Sequence, residues 1–339
     1  MAKKLTGQTL KFANPPLIVG SGSIVGPEET KGPLGDRFDL TVKDPKEGKK
    51  TWEKGERQMV SEVLEYTMGQ AAVSSADIDF LLGGDLMNQI ITSNYIARDY
   101  DIPYLGLYGA CSTVIEALGL GSVLMDGGYA DCVLTYSSSH YQSAERQYRK
   151  PLEYGIQYPP EKQWTVTGAG AYVLGWVNGD LQISSCTWGK VIDLGEKDSN
   201  NLGAAMAPAA VDTILQHFQD LNRAPEYYDL VVTGDLARVG KDILLELLEE
   251  KNVKLGERHV DCGNIIFGDK KKYGSGGSGC AASATVLTAD LLPRIKSGEL
   301  NRILAVGTGS LQNSLIIKQN ESIPGIAHAV EIEKAGGGI

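Results

Sequence analysis

Histidine is scarce, with 4 in 339 residues, and no two of them stand at metal-ligand spacing. Cysteine is nearly as rare. Cys111, Cys132, Cys186, Cys262 and Cys280 are odd in number and form no CxxC, so neither a disulfide framework nor a zinc ribbon is implied, and a reducing compartment is expected. Proline numbers 13 against 41 glycines; with 42% apolar and 22% charged residues, this excludes disorder and collagen-like repeats. Positive charge is in deficit, 32 Lys and Arg against 42 Asp and Glu, for a net −10. Phosphate backbones are bound by clustered cations that displace counterions, so nucleic acid is not an expected partner, and an anionic lipid surface is disfavoured for the same reason.

Long apolar runs are almost absent. The opening MAKKLTGQTL has two lysines with no apolar stretch behind them, so no signal peptide is expected. Residues 102–125 carry Glu116 as their one charge and are nearly long enough to cross a bilayer. Pro103, Gly106, Gly109, Gly119 and Gly121 punctuate that run, which reads instead as a short buried strand, a turn at Gly109 and a helix from near Cys111.

What the chain does have is an internal repeat. Asp79-Phe-Leu-Leu-Gly-Gly-Asp-Leu86 matches Asp229-Leu-Val-Val-Thr-Gly-Asp-Leu236, a buried-strand run ending in Gly-Asp both times. Gly109-Ala-Cys-Ser-Thr-Val-Ile-Glu-Ala-Leu118 matches Ser278-Gly-Cys-Ala-Ala-Ser-Ala-Thr-Val-Leu287, each a small-residue turn opening an apolar helix. Cys132-Val-Leu-Thr-Tyr-Ser-Ser-Ser139 then matches Ile303-Leu-Ala-Val-Gly-Thr-Gly-Ser310. Three matches in one order predict two duplicated halves, roughly 14–180 and 181–335. Helical spacing over 56–71, 209–221 and 242–251, alternating with short apolar runs, predicts an α/β architecture whose sheet is covered on both faces. Two polar stretches, 31–54 and 140–165, lie inside the first half and read as surface loops or lids.

Cys111 is the most suggestive residue. A thiol between a strand and a helix N-terminus meets partial positive charge that lowers its pKa, although a small buried cysteine is as readily structural. The repeat brings the helix near Cys280 to the same centre, so two helix N-termini converge on one pocket suited to an anion. Gly20-Ser-Gly-Ser-Ile-Val-Gly26 follows an apolar run, but its GxGxxxG spacing leads into Pro27-Glu-Glu and no GK[ST] follows, so a nucleotide loop is not expected. Gly274-Ser-Gly-Gly-Ser-Gly279 reads as a tight turn that lets backbone approach the pocket.

Gly109-Ala-Cys-Ser-Thr, Gly127-Gly-Tyr-Ala-Asp-Cys-Val-Leu134 and Thr167-Gly-Ala-Gly-Ala-Tyr-Val-Leu174 together resemble the thiolase superfamily, in particular its ketoacyl synthase III branch. The resemblance spans the chain. It implies a five-layered αβαβα fold built from two α/β halves, with the family nucleophile at Cys111. The other catalytic positions do not carry over. Tyr273 stands where thiolases place a histidine, and Gly234 or Asp235 and about Ser278 stand where the synthases place histidine and asparagine. A second thiolase cysteine falls near Ala305. Claisen condensation needs a base and donors for the enolate oxygen, which a lone cysteine does not supply, so a pocket kept for binding is expected.

The whole chain further resembles a sporulation branch of that superfamily, thiolase-like proteins of spore-forming bacteria involved in loading dipicolinic acid into the developing spore. Dipicolinate is a planar aromatic dianion, which helix-terminal amides and aromatic faces suit. The residues expected to line its site are Cys111, Tyr136, His140, Arg149, Lys162, Asp235, Tyr273 and Ser278. Tyr141, Arg146, Tyr148, Tyr154, Tyr158 and Trp164 interleave aromatic and cationic groups in the same loop, which also reads as a solvated surface. His140 is the histidine expected nearest Cys111, and Asp85 and Asp235 read as helix caps. Nothing resembles a calcium loop and no metal site is expected; if calcium accompanied the dipicolinate, Asp85 and Asp235 would be its oxygen donors. The resemblance implies membrane-embedded partners, the stage V sporulation A membrane proteins, a location in the forespore peripheral to the inner spore membrane, and a homodimer formed across the first-half sheet edge. Two other readings stay open. One is an acyltransferase or thioesterase acting on acyl-CoA or acyl-carrier protein, with Cys111 as nucleophile and His140 as base. The other is a scaffold without ligand.

Overall fold

Apolar stretches of a few residues become strands and the longer periodic ones become helices in the computed structural model, which describes residues 3–4, 7–148 and 159–336. After two short strands, Lys3–Lys4 and Thr9–Lys11, the chain forms β1 (Leu17–Val25), α1 (Trp52–Ala71), β2 (Phe80–Asp85), α2 (Ile91–Asp99) and β3 (Tyr104–Gly106). It continues through α3 (Thr113–Asp126), β4 (Val133–Ser139), α4 (Tyr141–Tyr148), β5 (Gln163–Thr165) and β6 (Gly168–Gly175). Then come β7 (Leu181–Thr187), α5 (Leu202–Leu221), β8 (Leu230–Thr233), α6 (Ala237–Glu250) and β9 (His259–Asp261). The last elements are α7 (Cys262–Phe267), β10 (Gly276–Ser278), α8 (Cys280–Val286), β11 (Arg302–Ser310) and β12 (Gly325–Lys334).

Strand order repeats. The first series runs β1-β6-β4-β2-β3 and the second β7-β12-β11-β8-β9. In each the first two pairings are antiparallel and the last two parallel. The series meet where β7 pairs antiparallel with β1, Leu181 opposite Ile18. Three apolar clusters fill the spaces between layers. One holds α1 and α2 against the first series, a second holds α5 and α6 against the other, and the third surrounds α3 and α8 in the middle. The result is a five-layered αβαβα fold. Central position explains the sequence of α3, whose faces both meet protein and whose residues are accordingly apolar nearly all round.

The helices start earlier than their apolar periodicity. α1 begins at Trp52, where the Thr51 hydroxyl accepts from the Lys54 amide, and α5 begins at Leu202, where Asn201 accepts from the Ala204 amide. Pro208 lies inside α5 beyond its first turn, so the proline that marks a boundary in sequence does not end this buried helix.

Candidate functional site

The site is built on the turn before α3. Ala110 takes a left-handed backbone, φ 49°, and presents Cys111 at the helix entrance. Its repeat mate, Gly279, has φ 103° and precedes Cys280 at the entrance to α8. The two turns touch: the Cys280 Sγ donates to the Ala110 carbonyl at 3.0 Å. Strand β11 lies against the first turn because it carries glycine there, since a Cβ on Gly309 would sit 2.3 Å from the Gly109 carbonyl. Cys111 opens on a cleft also lined by Leu86, Tyr108, Tyr148, Ser278 and Gln312. Its cavity volume is about 30 Å³, space for one or two waters. The Tyr108 and Tyr148 hydroxyls, 3.1 Å apart, close over it, and the Tyr148 hydroxyl also donates to the Leu86 carbonyl.

Asp235 dominates the electrostatics. It is buried, accepts from the Gly279 amide at 2.9 Å and the Thr308 hydroxyl at 2.7 Å, and lies beside the side chains of Cys111 and Ser278. Burial holds its carboxyl above the usual range. Burial, and then the charge of Asp235, push the Cys111 thiol well up. The lowered thiol pKa expected from the helix entrance is therefore overturned, because burial, with Asp235 beside the thiol, outweighs the amides. Asp235 is not a cap for its own helix, as the Leu236 and Ala237 amides donate to Asp261 at 2.9 Å each. Asp85 does act as a cap, accepting from the Met87 and Ser93 amides at 2.8 Å each.

Cys111, Asp235 and Ser278 come together as one group. Tyr136 and His140 do not join them. Alternation along β4 turns Ser137 and Ser139 toward α8, where they bond the Cys280 carbonyl at 2.9 Å and accept from the Ala281 amide at 3.1 Å. Tyr136, Ser138 and His140 share the opposite parity. Tyr136 packs against Gly83 in the outer layer, and the His140 Nε2 donates to the Pro45 carbonyl at 2.8 Å with its ring beside Trp52. Burial lowers the His140 pKa to about 4, so the imidazole is neutral and turned away from the thiol. Lys162 and Tyr273 lie in a second cleft across the β5–β10 ribbon. There Lys162 pairs with Glu145 at 3.1 Å, and Tyr273 stacks on Phe267 and donates to Glu28 at 3.1 Å. Arg149, Tyr154 and Tyr158 lie outside the described residues. The sequence reading missed Tyr108, Leu202 and Gln312, which line the cleft from outside the repeat motifs, and Leu86, the last residue of the first repeat match. Ser310 also lines it, and its place as the last residue of a repeat match was the available signal.

Two half-sheets sandwiching paired central helices, with a cysteine at the entrance of the first, define the thiolase-like class of condensing-enzyme folds. Solved structures agree. The 3-oxoacyl-[acyl-carrier-protein] synthase III of Aquifex aeolicus VF5 superimposes with TM-score 0.55 at 16% identity, over 94% of this chain and 99% of that one. A variant of OleA from Xanthomonas campestris does so with TM-score 0.60 at 15% identity, over 95% and 99%. The chain belongs to the stage V sporulation protein AD (SpoVAD) family, whose profile matches residues 6–333. Stage V sporulation protein AD of Bacillus subtilis (strain 168) is 46% identical over 335 residues, 98% of this chain and 99% of that protein.

Proposed function

We propose that this chain binds dipicolinic acid in the Cys111 cleft and takes part in its uptake into the forespore, as a binding subunit rather than a condensing enzyme. The observation that carries this reading is the contact of Cys111 with Asp235. A carboxyl group occupies the place of a base, and the thiol it faces is held protonated. The cleft nevertheless keeps polar groups that ask for a partner. The Ser310 Oγ and the Gln312 Oε1 are buried with no hydrogen bond among the described residues, which is uncommon for such atoms. A ligand carboxylate would accept from the Ser310 hydroxyl and from the Gln312 amide, whose two ends exchange by a flip. The phenol rings of Tyr108 and Tyr148 offer faces to a pyridine once their hydroxyls part.

Charge sets a condition. The described lining holds no cation and Asp235 lies beneath it, so a dianion needs neutralisation, by calcium travelling with it or by a proton on Asp235. Family membership supports a place in the developing spore beside the stage V sporulation A membrane proteins. Among the described residues no helix is long and apolar enough to cross a membrane, so transport through one falls to partners. The chain further self-associates through the open edge of β3.

Calorimetric titration with dipicolinate, with and without calcium, tests the reading, beside Ser310→Ala, Cys111→Ala and an acetyl-CoA control. The expected result is saturable binding, strengthened by calcium and weakened by both substitutions, with no response to acetyl-CoA. Acylation of Cys111 by acetyl-CoA without any heat from dipicolinate would overturn it in favour of an acyltransferase or thioesterase.

A further inference from the structure

A second concave surface lies away from the Cys111 cleft, between the N-terminal turns of α1 and the exposed face of α2. Lys54 and Arg57 form one wall; Ile91, Tyr95 and Arg98 form the other, at the one-turn spacing of a helix face. Its volume is about 470 Å³. It continues into a hollow of about 300 Å³ that shares Lys54 and Arg57 and adds Lys49 and Asp99. Together they make an elongated groove far roomier than the cleft over Cys111.

The groove is cationic in an acidic protein. Lys49, Lys54, Arg57 and Arg98 face it against two carboxylates, Glu53 and Asp99. Glu53 is occupied by Arg146, and Asp99 is shared by Arg57 and Arg98. Lys49, Lys50 and Lys54 have no ion pair among the described residues, so folding gives no account of them. Apolar surface accompanies the charge. Tyr95 is 46% exposed and Ile91 40%, and the guanidinium carbons of Arg57 and Arg98 stand 5.6 and 5.0 Å from the centre of the Tyr95 ring. An independent feature also points to a ligand. Thr92 is 3% exposed and lines the groove, and its hydroxyl has no hydrogen-bond partner.

We infer that this groove binds an extended acidic segment of a partner protein that carries an aromatic or aliphatic side chain. Carboxylates of the segment meet Lys54, Arg57 and Arg98, its apolar residue packs on Tyr95 and Ile91, and a peptide group engages the Thr92 hydroxyl. Charge and shape favour a segment over an anionic membrane. A bilayer is a broad plane that meets the field of the whole molecule, net −10, whereas a narrow chain inside a groove meets the local cations. The face is separate from the dipicolinate reading and stands or falls without it.

The test is fluorescence anisotropy of the full chain with a labelled peptide of Glu, Asp and Phe, beside its Gln, Asn and Phe counterpart and vesicles of mixed anionic and zwitterionic lipid. The expected result is salt-sensitive binding of the acidic peptide alone. Arg57→Glu and Arg98→Glu should each weaken it roughly ten-fold, and Tyr95→Ala and Thr92→Val should weaken it without changing its salt dependence. Lys190→Glu, on an exposed residue outside the groove, changes charge equally and should have little effect. Circular dichroism melts check that each variant folds, and Tyr95→Ala keeps the test open if an arginine reversal does not. Binding to vesicles without binding to the peptide overturns the inference, as does equal binding of the neutral peptide. So does loss of self-association in Arg98→Glu when the peptide is inert, since the occupant would then be a second copy.

Discussion

Burial and Asp235 together decide what Cys111 can do. Placing a carboxylate against a buried thiol adds like-charge repulsion to desolvation, and both disfavour thiolate. Alkylation of Cys111 by iodoacetamide at neutral pH is therefore expected to be slow, and Asp235→Asn, which keeps an acceptor for the Gly279 amide, should accelerate it. Mass spectrometry of the Cys111 peptide against pH reads the change, and an unaltered rate would show that burial alone protects the thiol. Glu56 presents a second buried carboxyl. It accepts from the Ser138 hydroxyl at 2.8 Å, and burial, then the nearby Asp85, raise its pKa from 4.5 to about 8. The folded state thus holds this proton more tightly than the unfolded chain. Its contribution to stability is fully present below pH 4.5 and is lost as pH rises through about 8. Glu56→Gln retains an acceptor for Ser138 and carries no charge, so its melting temperature should gain on the parent across that window and match it at the acidic end. Parallel thermal melts at several pH values would refute this if the two curves kept a constant separation.

Elements were legible where a period was strong and opaque where a side chain's direction depended on register. The repeat placed β2 against β8, α3 against α8 and β4 against β11, and the strand order gives β2 and β8, and β4 and β11, equivalent positions in the two series. The Cys111 turn was legible for the same reason, because its mate at Cys280 shares its small residues. Tyr136 and His140 were misread since adjacency in sequence to the end of β4 says nothing of which face a residue takes. Parity assigns both to the α1 side, and parity shows only once Ser137 and Ser139 are seen to bond α8. Gln312 and Leu202 gave no pattern at all, coming from ends of elements that only the fold brings near Cys111. Packing of β11 on the turn yields a prediction at this scale. Gly309→Ala would force its Cβ to within 2.3 Å of the Gly109 carbonyl, so strand or turn must shift. A loss of about 1–3 kcal/mol is expected, with weakened ligand binding as Cys111 moves. Chemical denaturation and calorimetry on the one variant measure both, and unchanged binding would separate the turn from the ligand site.

At the scale of the molecule, the repeated strand order makes the two ends of the sheet comparable, and they differ. β9 ends the second series with His259 and Asp261 buried. β3 ends the first with Leu105 38% exposed, and Tyr108 beside it 41% exposed. An open strand edge presents unpaired amides and carbonyls that template pairing with another chain, and apolar side chains along it make such pairing favourable. Two copies meeting edge to edge about a twofold axis satisfy both demands with one self-complementary surface, whereas a single-sided contact at β3 leaves the edge open on each successive chain. A dimer built there also places Tyr108 of the Cys111 cleft near the interface, coupling access to the cleft with assembly. Leu105→Lys puts a charge on the edge, a device that commonly blocks strand addition. The parent chain is accordingly expected to sediment at twice its 36.4 kDa mass and the variant at the single mass. Because dimerisation stabilises by mass action, the melting temperature of the parent should rise with concentration while that of the variant does not. A variant that stays dimeric would move the interface away from β3, and a parent that sediments as a monomer would leave the exposed edge for another chain to cover.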